Sequence, residues 1–408
     1  MNSEERRIAT GVLNATAVMS GPPDHWTWSS LREVETCARR YALESASYPE
    51  LWSGRGYPSA PVGAALYGDV VHDSLELIVR ALASAGCTSS SSPDAVVVLK
   101  SVGGYSAVLA AALDERIGRL EGNPRVTADR RDYLQRQVES QLPRARAEVQ
   151  GHLARMALLP KRRLISHDLA PSSNSFGRHA LSQGTYAELT LRADDERVKG
   201  RVDRVTVFPD RADIADHKTG VEHEHHAEQL RFYALLWHLD RIANPEKVPV
   251  GSLTIAYSTR EVVVEPPDET EMDLLIQSTL SRVRDADGRV RQDPPEATVA
   301  AHCLHCPVRS VCTAYWSAME DGAATNPESE WFDFEGLIGS RNGARSWWVH
   351  NSQTGARAFL LRTPSPRAAI KEGARLRLTG LHREDDPEVE APVATLTSAS
   401  EVFVLHDD

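Results

Sequence analysis

The sequence has no long apolar segment. No uninterrupted apolar run approaches the roughly 20 residues that a membrane-spanning helix requires. The first residues, Met1 to Arg7, are mostly polar or charged, and the apolar core of a signal peptide does not follow them. We therefore expect a cytoplasmic protein. With 408 residues, 41% of them hydrophobic and 25% charged, the composition is typical of a globular protein with two domains.

Cysteine is scarce, with five residues in the whole chain. Thiols rarely pair in the reducing cytosol, so clustered cysteines are better interpreted as metal ligands than as disulfides. Cys303 and Cys306 are separated by two residues, Cys312 follows after five more, and Cys37 lies far upstream. Cys87 lies in a serine-rich stretch, where we expect a free thiol in a surface loop.

Positive charge is not in excess, because the formal net charge is −11. This value argues against a protein that coats nucleic acid nonspecifically. It does not exclude a nuclease, since acidic metal ligands count as negative until the metal binds. Phosphate contacts would need a local basic surface, and for the available residues a solvated helix face is an equally good explanation. The candidates are Arg130, Arg131, Arg136, Arg144 and Arg146, and the run Lys161, Arg162 and Arg163.

Two common sequence signatures are missing. A Gly-x-x-x-x-Gly-Lys-Ser/Thr loop is absent, so any duplex unwinding would require a separate protein. No period of 20–50 residues repeats itself, which argues against a solenoid.

Residues 1–325 carry both helical and strand patterns. Apolar residues recur at helical spacing in some segments, while other segments show the short apolar runs of strands. A short mixed sheet flanked by helices places this domain in the α/β class. The predicted helices cover residues 29–45 and 68–83, at least two segments between 104 and 158, and residues 227–239 and 269–285. The predicted strands cover residues 186–192, 198–208, 213–218, 250–257 and 261–264.

Residues 326–408 carry only strand patterns. A polar linker with a proline, residues 323–329, separates them from the first domain. Five short strand-like runs follow, at residues 331–338, 347–350, 356–362, 374–380 and 393–404. This spacing predicts a small all-β barrel of the OB type, and an SH3-like barrel would give much the same pattern.

Two aspartates and a lysine lie on neighbouring predicted strands. Asp203 and Asp216 are expected to converge at one sheet edge, and Lys218 shares the face of Asp216 because strand side chains alternate. Phosphodiester cleavage uses divalent metals, and carboxylates hold Mg²⁺. An ammonium group beside them orients the attacking water and stabilises the transition state. This arrangement predicts a metal-dependent nuclease centre.

Four further residues extend this centre. His72 lies on a predicted helix, and its imidazole suits a mixed Mg²⁺ or Mn²⁺ site. His217 offers its backbone carbonyl to the metal. Gln229 and Tyr233 lie four residues apart and therefore share one face of the next helix. Alone, an Asp-x-Lys motif is more often a surface ion pair, but the motifs in this order favour a nuclease.

Together these motifs resemble the RecB-like branch of the PD-(D/E)xK nucleases, which implies a restriction-endonuclease-like core with a helical insert. The resemblance implies that His72, Asp203, Asp216 and the His217 carbonyl bind Mg²⁺ or Mn²⁺. It also implies that Lys218 is catalytic, with His72 in the same centre, and that Gln229, Tyr233 and Arg204 contact DNA. His217 departs from the commoner Tyr or Phe, which a carbonyl ligand tolerates. The matching residues are Gly68 with His72, Gly200 with Asp203 and Arg204, Asp216 with Lys218, Thr219 and Gly220, and Gln229 with Tyr233.

The cysteines are similar in order and spacing to those of iron–sulfur nucleases of this branch, including AddB-type nuclease domains and CRISPR-associated RecB-like exonucleases. The resemblance implies a [4Fe–4S] cluster held by Cys37, Cys303, Cys306 and Cys312. Structural zinc fits four cysteines equally well on ligand type. Either metal would close a very long loop, a structural role.

The predicted function is cleavage of DNA, on single strands or at strand ends, with a separate helicase or a defence or repair complex as the expected partner. A noncatalytic subunit that binds DNA ends within a helicase–nuclease complex is the alternative. The barrel is predicted either to guide DNA or to dock a protein. Its candidate base-stacking platform consists of Trp347, Trp348 and Phe359 with Arg345, Arg357, Arg362, Arg375 and Arg377.

Overall fold

The structure is a computed structural model that describes residues 11–12, 17–48, 56–160, 178–320, 329–352, 354–364 and 369–405. Its helices are α1 (Trp28–Thr36), α2 (Ala38–Ser45), α3 (Gly63–Ser84), α4 (Pro93–Ser101), α5 (Gly104–Arg119), α6 (Ala128–Glu139), α7 (Leu142–Arg155), α8 (His225–Leu239), α9 (Glu269–Val290) and α10 (Thr313–Glu320). Its strands are β1 (Gly11–Val12), β2 (Gly184–Ala193), β3 (Val198–Val207), β4 (Ala212–Lys218), β5 (Val250–Tyr257), β6 (Glu261–Val264), β7 (Trp331–Arg341), β8 (Ser346–Asn351), β9 (Arg357–Arg362), β10 (Arg375–Glu384) and β11 (Val393–Leu405).

The first sheet is mixed, with the strand order β2-β3-β4-β5-β6. The strands β2, β3 and β4 form an antiparallel meander, β5 is parallel to β4, and β6 returns antiparallel to β5. Parallel neighbours need a long crossover connection, which α8 provides here. The predicted α/β class and the five predicted strands are confirmed.

Helices cover the first sheet and form two separate cores. The first core joins α1, α8 and α9 to the strands through residues such as Trp26, Phe232 and Leu253. The second core joins α3 to the helices α5, α6 and α7 and reaches β2 at Ala187.

The helix predicted at residues 29–45 is two helices. Cys37 lies between them in an extended conformation, with φ −162° and ψ 106°. Its N–H ends α1 by donating to the carbonyl of Glu33, and its carbonyl accepts the N–H groups of Arg40 and Tyr41 in the first turn of α2. The prediction of one helix was therefore wrong, because helical periodicity continues across a single extended residue.

The expectation that no segment is long and apolar enough to span a membrane was also wrong by length and composition. Within the 27-residue stretch Pro93–Arg119, one 18-residue window has a mean hydropathy of 1.8, and 28% of that window is buried. The left-handed Gly103, with φ 89°, divides this stretch into α4 and α5. The apolar face of α5 packs into the helical core through Val108, Leu109 and Leu113.

The second sheet is built from β7 to β11, joined by β1. Its hydrogen-bonded neighbours run in the order β7-β8-β9-β11-β10 and return to β7, so the pairings of these five strands form a closed circuit. Within this circuit of five strands, all neighbours are antiparallel except β9 and β11. The short β1 pairs in parallel with β11 at Phe403 and Val404. Residues 323–328 of the predicted linker, and with them the predicted boundary at residue 325, lie outside the described residues.

Asp333 joins the second sheet to the end of the first domain. Its Oδ2 accepts hydrogen bonds from Arg309 Nε at 2.6 Å and from the hydroxyl of Tyr315 at 3.0 Å. Its Oδ1 accepts the backbone N–H of Gly380 at 2.7 Å. Asp333 is only 4% exposed, so these donors satisfy a buried carboxylate that would otherwise be costly.

Candidate active site

Three carboxylates form a row across β2, β3 and β4. On β3, Arg204 pairs with Ala187 of β2 and with Ala215 of β4. One residue further along each strand, Asp203 therefore lies between Glu188 and Asp216. Residues directly opposite in antiparallel strands point to the same face. Asp203 and Asp216 therefore lie on neighbouring strands as expected. Glu188, which was not predicted as a site residue, lies on the other side of Asp203.

His72 of α3 faces this row. Its Nδ1 lies 3.6 Å from Oδ2 of Asp203. One ligand atom each of His72, Glu188 and Asp203 lies within 4.8 Å of the others. Two carboxylates and an imidazole at this separation form a donor set that suits Mg²⁺ or Mn²⁺. The residues present therefore fit a divalent metal.

Asp216 and Lys218 begin a second chain of contacts. Lys218 Nζ lies 2.6 Å from Oδ2 of Asp216 and donates to Oε1 of Gln229 at 3.1 Å. The Nε2 of Gln229 then donates to the hydroxyl of Tyr233 at 2.7 Å. The two α8 residues predicted to share one face therefore do so, and they hold the lysine in place.

Two glycines allow helices to approach the row closely. A Cβ at Gly68 of α3 would lie 3.0 Å from Oγ1 of Thr219, which follows β4. A Cβ at Gly200 of β3 would lie 2.7 Å from a methyl carbon of Leu236 in α8. A larger side chain at Gly68 would crowd Thr219, and one at Gly200 would require the Leu236 side chain to shift.

Burial sets the protonation of the metal-free site. Burial raises the pKa of Asp203 and of Asp216 above the usual carboxyl range, and the neighbouring Asp216 raises that of Asp203 further. Burial and then the charge of Asp203 raise the pKa of Glu188 to about 7. Burial lowers the pKa of His72, which keeps its imidazole in the neutral form that binds metals. A divalent cation would replace protons on this row.

His217 and Arg204 lie beside the row. Strand alternation turns the His217 side chain away from Asp216, and its ring is 5.1 Å from that of His152. The backbone N–H of His217 donates to Oδ2 of Asp203 at 2.6 Å. The Nη1 atom of Arg204 is buried without a hydrogen-bond partner among the described residues. The metal-binding carbonyl of His217 and the DNA contact of Arg204 stay predictions.

One sequence signal would have found Glu188. Ala193 and Val198 pair at the turn between β2 and β3. Glu188 lies as far before this turn as Asp203 lies after it, so counting back along the hairpin places the two carboxylates opposite each other. Glu188 has a positive φ of 51°, which is uncommon for a residue with a side chain.

The four predicted metal-binding cysteines meet in one pocket, although Cys37 is far from the others in sequence. Cys37, Cys303, Cys306 and Cys312 all line it, and all four are free thiols. Burial raises the pKa of Cys306 to about 11, so this thiol would lose its proton at neutral pH only to a metal. The Nε2 atom of His302, which also lines the pocket, is buried and has no hydrogen-bond partner among the described residues.

Cys87 does not belong to this group. It is a free thiol as expected, but it is 3% exposed and packs in the helical core. The expectation of an exposed loop thiol was therefore wrong, since a serine-rich sequence around a cysteine does not report the packing of its side chain.

The predicted platform on the second sheet is largely internal. Phe359 is 4% exposed and belongs to the core, and Trp347 packs against that core. The guanidinium of Arg357 lies over the ring of Trp348, at 4.0 Å from the ring centroid. Three further arginines are paired with acidic residues, and Arg345 donates to the carbonyl of Pro364. The paired arginines are Arg362 with Asp386, and Arg375 and Arg377 with Glu335.

The predicted basic stripe is partly engaged as well. Arg130 lies over the ring of Tyr133, and Arg144 lies over that of Tyr67. Arg146 donates to the hydroxyl of Ser106 at 3.2 Å. Residues 161–163 lie outside the described residues.

Comparison with known protein families identifies the family of the chain. A family model of the PD-(D/E)XK nuclease superfamily matches residues 25–313, about 70% of the chain. Proteins of this superfamily are nucleases that use divalent metals. No curated protein matches the chain. The matched range contains His72, Glu188, Asp203, Asp216 and Lys218, together with the four-cysteine pocket.

Proposed function

The chain belongs to the PD-(D/E)XK nuclease superfamily, and from this premise we propose that it is a metal-dependent DNA nuclease that hydrolyses phosphodiester bonds. Its substrates are single-stranded DNA or DNA ends. The observation that carries the proposal is the intact set of Asp203, Asp216 and Lys218 on neighbouring strands, with His72 facing it from α3. We assign the chain to the RecB-like branch because its motif residues occur in the order of that branch.

His72, Asp203, Asp216 and the backbone carbonyl of His217 would hold Mg²⁺ or Mn²⁺. When bound, the cation neutralises charge on the phosphate and lowers the pKa of water. Lys218 is held by Asp216 and Gln229, so its ammonium has a fixed direction. It orients the attacking water and offsets negative charge as the phosphorus–oxygen bond to the leaving strand breaks.

Gln229 and Tyr233 contact the DNA. Their mutual hydrogen bond and the bond from Lys218 keep both side chains beside the catalytic residues. Tyr233 is only 6% exposed, so a strand that reaches the phosphate site would meet Gln229 first, with Tyr233 behind it. Arg204, with its buried cationic head, adds positive charge behind Asp203.

The four-cysteine pocket holds a [4Fe–4S] cluster with a structural role. The convergence of Cys37 with the three late cysteines supports this assignment. Structural zinc is the alternative, and a metal and sulfide analysis separates the two. The cluster ties the break between α1 and α2 to the segment that leads into α10.

The chain divides into a nuclease domain of residues 1–325 and an OB-like barrel of residues 326–408. The closed circuit β7-β8-β9-β11-β10, with only β9 and β11 parallel, supports the barrel. We place the protein in the cytoplasm. Because its sequence has no nucleotide-binding loop, any unwinding of the substrate would come from a separate helicase or from a defence or repair complex.

A cleavage assay tests the proposal. Labelled linear and circular DNA, single- and double-stranded, is incubated with the protein and Mg²⁺ or Mn²⁺. We expect metal-dependent cleavage that Asp216→Asn abolishes. Binding of DNA ends without cleavage in either metal would overturn the enzyme assignment and favour the noncatalytic subunit.

A further inference from the structure

We propose that Arg80 and Arg201 form a clamp for the backbone phosphates of the DNA strand, beside the active site on its Glu188 side. The inference rests on the proposed nuclease function and adds a substrate-binding surface to it. Lys218 and Gln229 lie on the other side of the carboxylate row. A clamp opposite to them would hold the strand at a second point, so that the strand crosses the row.

The helix α3 aligns three side chains that lead away from the row. His72, Glu76 and Arg80 follow one another at intervals of four residues, and residues with this spacing share one face of a helix. His72 faces Asp203 at 3.6 Å. Arg80 lies two turns further along, with its Nη2 2.7 Å from Oε1 of Glu76. The face that brings His72 to the active site therefore continues into a carboxylate and then an exposed cation.

Arg201 reaches the same carboxylate from the sheet. It lies two residues before Asp203 on β3, about 6–7 Å along the strand. Its Nη2 donates to Oε2 of Glu76 at 2.9 Å, and its Nε is paired with Glu188. Glu76 thus contacts Arg80 through Oε1 and Arg201 through Oε2. One carboxylate therefore holds two guanidinium groups side by side.

Both arginines keep donors that the protein does not use. A guanidinium has five N–H donors. In the part of the chain that the structure describes, Arg201 is paired with Glu76 and Glu188, and Arg80 with Glu76 and the carbonyl of Ala187. The arginine side chains are 58% and 56% exposed, whereas those of Glu76 and Glu188 are 17% and 11% exposed. The surface therefore presents the two cations and hides most of the anionic groups.

Two adjacent guanidinium groups fit the backbone of a nucleic acid. Arginine binds phosphate oxygens through paired N–H donors, and phosphate contacts dominate the affinity of nucleic-acid binding. Because the chain has a net charge of −11, a polyanion needs local cations to bind. A strand with one phosphate at Asp203 would bring a neighbouring phosphate within reach of Arg201. Exposed ion pairs contribute little stability, so the main consequence of this arrangement is the cationic surface.

The salt dependence of binding tests the clamp. The full-length protein with Asp216→Asn, which we expect not to cleave, is titrated against a fluorescent single-stranded oligonucleotide with Mg²⁺ at several KCl concentrations. Each phosphate contact to a single strand contributes about 0.7 to the slope of log affinity against log salt. In this background we expect Arg80→Ala and Arg201→Ala each to reduce the slope by about 0.7 and the affinity by roughly tenfold.

Arg241→Ala is the matched control. Arg241 is exposed and paired at 2.8 Å with Asp195, which lies in the turn between β2 and β3, so this variant removes the same charge away from the row. It should leave the slope unchanged. Unchanged slopes in both clamp variants would overturn the inference. A change in Arg201→Ala alone would also overturn it, because Arg201 contacts Glu188 and could act through the row, whereas Arg80 is not paired with Glu188.

Two further measurements separate the clamp from the fold and from the enzyme assignment. A lower melting temperature with an unchanged slope in both variants would assign these arginines to structural ion pairs and refute the clamp. Cleavage by the wild type, together with unchanged slopes, would remove the clamp and leave the nuclease function standing. Reduced slopes in both variants without cleavage by the wild type would support the clamp and refute the nuclease function.

Discussion

The ammonium of Lys218 lies 2.6 Å from a carboxylate oxygen of Asp216, two residues earlier on the same strand. Strand alternation places both on one face, and Gln229 fixes the lysine from α8. The Asp216 side chain is only 2% exposed. A buried ion pair contributes little net stability after desolvation, so its value here is the direction it gives to the lysine.

Replacement of Lys218 by alanine should remove catalysis but not the fold. We expect Lys218→Ala to lower the cleavage rate by at least roughly 10²-fold, since it removes a fixed positive charge at the phosphate. Cleavage rates and circular dichroism spectra check this. Lys199→Ala is the control, because Lys199 is exposed on β3. Equal rates for the two variants would contradict a catalytic role for Lys218.

Glu188 should make the metal-free protein less stable as pH rises. Burial raises the pKa of Glu188 from 4.5 to about 7, so between these values the folded state keeps a proton that the unfolded state has lost. Stability is then lost as pH increases through this window. We expect Glu188→Gln to show a smaller fall in melting temperature between pH 4.5 and 7, without added divalent metal.

The same titration gives its own control. Glu269→Gln, at an exposed position in the first turn of α9, should keep the wild-type dependence of melting temperature on pH. Identical slopes for the wild type and Glu188→Gln would show that Glu188 does not carry this proton.

Loss of one cysteine ligand should remove the metal and destabilise the first domain. We expect Cys306→Ser to contain no iron or sulfide and to melt at a lower temperature, because Cys306 is buried where the pocket joins α2 to the late cysteines. Metal analysis and calorimetry provide the measurement. Cys87→Ser, which changes a buried cysteine outside the pocket, should keep the metal. Detection of zinc without sulfide in the wild type would show that the four cysteines hold structural zinc and not an iron–sulfur cluster.

Asp333 should contribute to stability through the junction of the two sheets. Asp333→Ala leaves the largely buried guanidinium of Arg309 without its carboxylate, and removing one partner of a buried ion pair costs about 3–5 kcal/mol. Urea unfolding with tryptophan fluorescence measures the change. Asp385→Ala, at an exposed loop position, should change the free energy of unfolding by no more than about 0.5 kcal/mol. Similar values for both variants would contradict this role of Asp333.

The local pattern of the chain predicted most helices and strands well. The strands β5 and β6 have the predicted bounds, and α8 begins two residues before its predicted start. These elements follow from periodicity, which depends on neighbours in sequence. The break at Cys37 escaped prediction because its cause is tertiary: the residue turns into the pocket of the three late cysteines.

In the active site, the role of Glu188 likewise could not be predicted from local sequence pattern. Asp203, Asp216 and Lys218 belong to recognisable motifs, whereas Glu188 stands alone among the apolar and polar residues of β2. Its proximity to Asp203 depends on the register of the β2–β3 hairpin, which the turn length and the buried face decide together. The prediction that Phe359 stacks on bases was wrong for a related reason. Its position in the strand does not tell which face of the second sheet packs into the core.

The sequence by itself determined the α/β class, the order of the strands and the residues able to bind metal, because side-chain chemistry and short-range periodicity are properties of the chain. Only the tertiary structure decided which of these residues meet. The register across three strands brought Glu188 into the carboxylate row, and packing of α3 against the loop after β4 brought His72 to face it. Distances between segments far apart in sequence are set by the burial of shared apolar surfaces, which no single segment encodes.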